Sequence, residues 1–208
     1  MNARTEQLRF TGAAGAIQAL RDAPPPGTAS RGLAVIAHPH PLFAGTMDNK
    51  VVQTLARAFV QSGWTALRFN FRGVGASEGV HDEGRGEVQD MLELIEQAAP
   101  QGPLALAGFS FGAFVTTQVA AALWPTRPFE RLVLVGTAAS RFEVADLPPA
   151  SHTRALVIHG EADDTVPLSA VLDWARPQTL PVTVIPGVGH FFHGQLNLLK
   201  SLVERHLC

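Results

Sequence analysis

Short, wholly apolar runs alternating with helical periodicity constrain this chain more than any other feature. Leu33-Ala-Val-Ile-Ala37 has no polar position, as a strand does when both faces of its sheet are covered. Asp48 to Gly63 then reads as a helix, with Asp48 or Thr46 as cap, Val51, Val52, Leu55 and Phe59 on one face, and Gly63 as the stop. Trp64 to Phe69 is the next strand, followed by a Gly-rich turn from Arg72 to Gly79. Val88, Met91, Leu92 and Ile95 share a second helical face, ended by Pro100. Leu104 to Ala107 predicts a strand and Phe111 to Leu123 an apolar helix. Leu132 to Val135, Ala155 to His159 and Val182 to Ile185 are further strands, with a helix near Leu168 to Trp174 and a closing helix from Phe192 to His206. Parallel strands need such long crossovers, so the expected class is α/β, a parallel sheet covered by helices.

The first thirty residues differ. Gln7 to Phe10 and Ala16 to Leu20 flank Gly12 and Gly15 and predict an antiparallel hairpin. Arg21 to Arg31, with Pro24, Pro25 and Pro26, is a stiff surface connector, because so short a piece cannot build its own core. The expectation is therefore one domain over residues 1–208. Hydrophobic residues at 46% and charged residues at 16% exclude a disordered chain. The N-terminus carries Arg4, Glu6 and Arg9 without an apolar stretch, unlike a secretory leader. A net charge of −2 without a basic run argues against a nucleic-acid partner, and no apolar run is long enough for a membrane span. The single cysteine, Cys208, cannot form an internal disulfide, and a reducing cytoplasm is the expected location. The expected state is a monomer or weak homodimer.

Chemistry concentrates at strand ends. Gly108-Phe109-Ser110-Phe111-Gly112 joins a predicted strand to a predicted helix. A serine on so tight a turn projects its hydroxyl out of the sheet, and the glycines leave room where a Cβ would collide. The Phe111 amide, at the helix N-terminus, faces a developing oxyanion. A serine hydroxyl needs a base, and the base needs an orienting group. His159-Gly-Glu-Ala-Asp163-Asp164 follows one strand, and Gly187-Val-Gly-His190 follows the next. In a parallel sheet these ends share an edge with Ser110. Gly187 and Gly189 favour His190 over His193 as the residue on a tight loop, while Asp163 and Asp164 remain alternatives.

From Leu33 onward the chain resembles the α/β-hydrolase superfamily, and within it the small, cap-less, dienelactone-hydrolase-like serine hydrolases. The resemblance rests on His38-Pro-His-Pro-Leu-Phe-Ala-Gly-Thr-Met-Asp-Asn-Lys50, Arg68-Phe-Asn-Phe-Arg-Gly-Val-Gly-Ala-Ser77, the Ser110 elbow and Gly160-x-x-Asp163-x-x-Val166-Pro167. It implies an eight-stranded, mostly parallel sheet and a triad of Ser110, Asp163 and His190 in that chain order. It also implies ester hydrolysis through an acyl-enzyme without a cofactor, and it selects Asp163 over Asp164. Dienelactone hydrolases proper use cysteine where this chain has Ser110, so their lactone substrate does not carry over. By analogy with the family, the loop after the first parallel strand supplies a second oxyanion amide. Pro39 and Pro41 lack an N–H, leaving His40, Leu42 and Phe43, of which the analogy favours His40.

Other readings are weaker. A metal held by His38 and His40 lacks a third ligand at motif spacing, and His38 reads as a core histidine satisfied by backbone. Gly73-x-Gly75-x-x-x-Gly79 invites a dinucleotide, but no helix starts inside it and acidic residues follow. Leu42, Phe43, Phe109 and Phe191 are candidate walls for the substrate. Only a short flap, Ala139 to His152, stands where lids are inserted, so a small or short-chain ester or thioester is the expected substrate. Arg72 is the one positive residue expected within reach of a charged group, unless it braces its own loop. An amide hydrolase with the same triad and a non-catalytic binding scaffold are the alternatives.

Overall fold

The computed structural model describes residues 5–208. Eight strands form one sheet: β1 (Thr5–Gly12), β2 (Gly15–Asp22), β3 (Leu33–Ala37), β4 (Thr65–Phe69), β5 (Leu104–Phe109), β6 (Arg131–Val135), β7 (Ala155–Gly160) and β8 (Val182–Ile185). Their order is β1-β2-β4-β3-β5-β6-β7-β8. β1 and β2 pair antiparallel, β2 pairs antiparallel with β4, and every other pair is parallel. Five helices cover it: α1 (Lys50–Gln61), α2 (Arg85–Ala98), α3 (Phe111–Leu123), α4 (Leu168–Ala175) and α5 (Leu196–Leu207).

The missing polar positions in β3 and β5 follow from this layering. Val35, Ala37, Leu104 and Leu106 pack in the core shared with α2, α3 and α4. Their neighbours Ala34, Ile36, Ala105, Ala107 and Phe109 pack in the second core, against α1 and α5. With both faces buried, the period of two leaves no place for a polar side chain. Among the described residues, no helix is long and apolar enough to cross a membrane.

Two helix starts differ from the sequence reading. The α1 cap is Asn49, whose side chain accepts from the Val51 N–H at 2.9 Å, while Thr46 accepts from Asp48 in the turn before it. The last helix starts at Leu196 because Phe192 turns left-handed, with φ 54°, and its side chain is buried in the core.

The chain leaves β3 for β4 on one side and returns to β5 on the other. Ala37 pairs with Gly108, so the loops after β3 and β5 open side by side at the carboxyl edge. That reversal point is where α/β sheets present their ligand crevice.

Candidate active site

Ser110 follows β5 directly, with φ 57° and ψ −116°. This is a costly backbone for a residue with a Cβ. It is held there by its N–H donating to the Val135 carbonyl at 2.9 Å and its carbonyl accepting from Ala113 at 3.0 Å. The flanking glycines are needed for space. A Cβ on Gly108 would lie 2.3 Å from the Gly112 carbonyl oxygen, and one on Gly112 would lie 2.4 Å from those of Ala37 and His38.

The structure brings Ser110, His190 and Asp163 together from β5, β8 and β7. Ser110 Oγ lies 2.9 Å from His190 Nε2, and His190 Nδ1 lies 2.7 Å from Asp163 Oδ2. The other Asp163 oxygen accepts from Thr165 at 3.0 Å and Val166 at 2.7 Å. A carboxylate only accepts, so His190 donates through Nδ1 and presents a bare Nε2 to the serine hydroxyl. Burial pushes the Asp163 carboxyl up, but the His190 hydrogen bond, the Val166 N–H and the nearby imidazoles hold it below the usual carboxylate range. Asp164 and His193 are exposed, and neither takes a place in this chain of hydrogen bonds.

The loop after β3 is clamped from beneath by the motif after β4. Buried His38 approaches the Pro39 carbonyl through Nδ1 at 2.6 Å and accepts from the Phe71 N–H through Nε2 at 3.0 Å. That is a neutral tautomer with both nitrogens in use, and burial pushes His38 down to about 4. Asn70 accepts from Met47, and Arg68 donates to the Met47 carbonyl while facing Asp22 and Asp48. In this loop the Phe43 N–H donates to the His40 carbonyl at 3.1 Å and the Leu42 N–H to His40 Nδ1 at 3.2 Å. The His40 N–H has no acceptor among the described residues, and the Phe111 N–H opens α3, where the helix offers none. Burial, with His81 and Arg141 nearby, pushes the His40 imidazole below its ordinary value.

A cavity of about 290 Å³ opens over Ser110 and His190, walled by Phe43, Phe111, Phe142 and Phe191. Of the expected wall residues, Phe43 and Phe191 therefore border it. Leu42 lies instead in an adjoining groove of about 1140 Å³. Phe109 is a correction. It shares the parity of Ala105 and Ala107, so its ring faces the α1 and α5 core and packs behind His190 at 4.9 Å between centroids. Arg72 is a brace, donating to both oxygens of Asp90 on α2 at 2.7 and 2.8 Å. The arginine that borders the cavity is Arg141, from the flap after β6.

Sequence reading also gave no role to His159, the last residue of the predicted strand before Gly160. It is wholly buried, contacts the Val166 carbonyl through Nε2 at 2.9 Å, and lies 3.4 Å from Asp163. Burial pushes its imidazole down, so it stands beside the carboxylate as a neutral group. A histidine four residues before the aspartate in a strand-end turn is the signal that could have found it.

Comparison with known proteins agrees with this architecture. Residues 42–154 match the family model for the alpha/beta hydrolase fold. An alpha/beta serine hydrolase without a lid from Xanthomonas campestris is 35% identical, with a TM-score of 0.87 over 100% of this chain and 95% of that one. An alpha-beta serine hydrolase homologue from Coxiella burnetii is 36% identical, with a TM-score of 0.82 over 98% of this chain and 97% of that one. An uncharacterized protein of Rickettsia prowazekii is 31% identical over 187 residues, 84% of this chain and 78% of its own length.

Proposed function

The chain belongs to the alpha/beta hydrolase fold family, and from that premise we propose that it is a serine esterase for short-chain carboxylic esters or thioesters. The observation that carries the proposal is the continuous hydrogen-bond chain from Ser110 through His190 to Asp163.

In this reading Ser110 Oγ attacks the ester carbonyl carbon while His190 Nε2 takes the hydroxyl proton. The imidazolium that forms keeps its Nδ1–H on Asp163, which balances the charge and prevents the ring from turning. The carbonyl oxygen, now an oxyanion, is received by the Phe111 and His40 amides, and the stiff Pro39–Pro41 loop holds the second donor in place. Collapse breaks the bond to the alcohol or thiol, which leaves with the proton from His190. Water then enters, gives its proton to His190 and attacks the acyl-serine. The acid departs and Ser110 regains its proton.

The short acyl chain is inferred from the size of the cavity over Ser110. Only a single flap joins β6 to β7 above it, leaving a long chain in water. Cys208, the only cysteine, is exposed, which suits a reducing cytoplasm.

The test is a p-nitrophenyl ester series from acetate to palmitate on wild type and Ser110→Ala, with fluorophosphonate labelling of both. The expected result is fastest turnover at short chains, and loss of turnover and labelling in the variant. Rates that climb steadily beyond decanoate would remove the short-chain reading. Absence of labelling in folded wild type would remove the esterase reading altogether.

A further inference from the structure

Arg141 borders both the cavity over Ser110 and the larger groove beside it. It is the one permanently charged side chain around the cavity, and among the described residues it forms no ion pair or side-chain hydrogen bond. Its backbone is not loose. The Ala138 N–H donates to the Ser110 carbonyl at 3.4 Å, and the Arg141 and Phe142 N–H groups both donate to Ala138 at 3.2 Å. Phe142 stacks on Phe114 of α3, with centroids 4.7 Å apart and planes 14° apart. Gln118 of α3 donates to the Glu143 carbonyl at 2.8 Å, and Trp174 of α4 donates to that of Ala145 at 3.2 Å. The turn bearing Arg141 is thus tied to the nucleophile on one side and to two helices on the other.

Around the cavity over Ser110 no carboxylate answers its charge. Two imidazoles, His40 and His81, line the groove with it, their rings 4.8 Å apart, as does Arg85, and Arg141 itself opposes a charge on His40. The carboxylate of this cluster, Glu87, is wholly buried and committed to His81, the Asp82 N–H and the Gly84 N–H. Glu83, Glu143 and Asp146 line the outer groove but not the cavity over Ser110, and Glu83 faces Arg85. An exposed guanidinium carried on a fixed turn at the rim of the cavity, with no ion pair among the described residues, is available to an incoming anion.

We propose that the ester cleaved at Ser110 bears a free carboxylate, and that Arg141 binds it at the junction of the cavity and the groove. The proposal rests on the serine esterase reading above. A single guanidinium matches one carboxylate in charge and in its two-pronged geometry. The neighbouring Phe43, Phe111 and Phe142 rings accommodate the carbon segment between that carboxylate and the scissile ester.

The test compares kcat/KM for mono-p-nitrophenyl adipate with that for p-nitrophenyl hexanoate, which share the acyl length and differ in the terminal carboxylate. A second pair, 4-acetoxybenzoate and 4-tolyl acetate, places the carboxylate on the leaving group. Background hydrolysis is subtracted with Ser110→Ala. Wild type is expected to favour the acidic member of one pair by about tenfold or more, as a charge-assisted guanidinium–carboxylate pair does. In Arg141→Gln, with folding verified by melting, that ratio falls toward one, and Arg141→Lys keeps part of it. A ratio near or below one in wild type for both pairs, with the neutral esters cleaved, overturns the carboxylate subsite alone. A wild-type preference that Arg141→Gln leaves unchanged also overturns it. Turnover of no ester overturns the subsite too, and fluorophosphonate labelling of Ser110 then decides separately whether the esterase reading survives.

Discussion

The two sides of the cavity over Ser110 are built on opposite terms. On one side, Ser110, Asp163 and His190 are 8%, 7% and 3% exposed, and each is held by hydrogen bonds from more than one element. On the other, Phe43 and Phe191 are 73% and 46% exposed and touch mainly other aromatic rings or water. The first side is over-determined, so its geometry survives without a ligand. The second has few constraints of its own, and its shape is completed by what binds there. The difference teaches that the chemistry of this site is written in strand ends, and its selectivity in loops.

The largest effect expected from this contrast lies at Asp163. In Asp163→Asn, the carbonyl oxygen of the amide takes the place facing the Thr165 and Val166 N–H groups, which turns the NH₂ toward His190. The imidazole must then accept at Nδ1 and carry its proton at Nε2, where it no longer receives the serine proton. A loss of kcat of about 10³–10⁴-fold is expected with the fold retained. Phe43→Ala, on the open side, is expected to cost less than about tenfold, because a ring that is 73% exposed loses little buried apolar area. Ester kinetics and thermal melting on both variants check this pair. Equal losses in the two would erase the distinction between the sides.

The same contrast explains which parts of the molecule were legible in the chain. β3 and β5 were readable because both their faces are buried, and the Ser110 elbow because its glycines are sterically required. His38 was readable as a core residue, although its partner on Phe71 lies in a different motif. Asn49 as cap was not, because Thr46, Asp48 and Asn49 are all good cap residues and only the turn geometry selects among them. His159 ends a strand that reads as apolar, and its proximity to Asp163 appears only when the turn closes. Arg141 sits in a stretch without periodicity. It reaches the cavity through the bond from Ala138 to Ser110 and the stacking of Phe142 on Phe114, contacts that no local spacing encodes.

A smaller effect separates His38 from His40, two residues apart on the same loop. His38 is wholly buried with both nitrogens bonded to backbone, and its folded value lies at about 4 against 6.5 unfolded. The unfolded chain therefore binds the extra proton first as pH falls. The stability contributed is complete above pH 6.5 and is lost as the pH drops toward about 4. Integrated over that window, the loss is about 3 kcal/mol. His159 and His206 are pushed down by burial with the same sign, so the difference between wild type and His38→Gln isolates His38. Urea unfolding across this range should give a clearly shallower pH slope for His38→Gln and a smaller change for the more open His40→Gln. Parallel slopes for wild type and His38→Gln would mean that His38 does not stay neutral in its pocket.

The smallest effect probes the strain on the buried side itself. Ser110→Ala and Ser110→Gly both remove the hydroxyl and both should be inactive, so their difference in stability reports the backbone alone. At φ 57° and ψ −116°, alanine keeps the clash of its Cβ, whereas glycine is free of it. Relief of about 1–3 kcal/mol of strain is opposed by the greater freedom of glycine in the unfolded chain, about 0.5–1 kcal/mol, leaving glycine ahead by about 1 kcal/mol. Denaturant midpoints of the two variants measure it. If alanine matched or exceeded glycine, the elbow would hold no strain, and the projection of Ser110 toward His190 would have to come from its backbone hydrogen bonds with Val135, Ala113, Phe114 and Ala138.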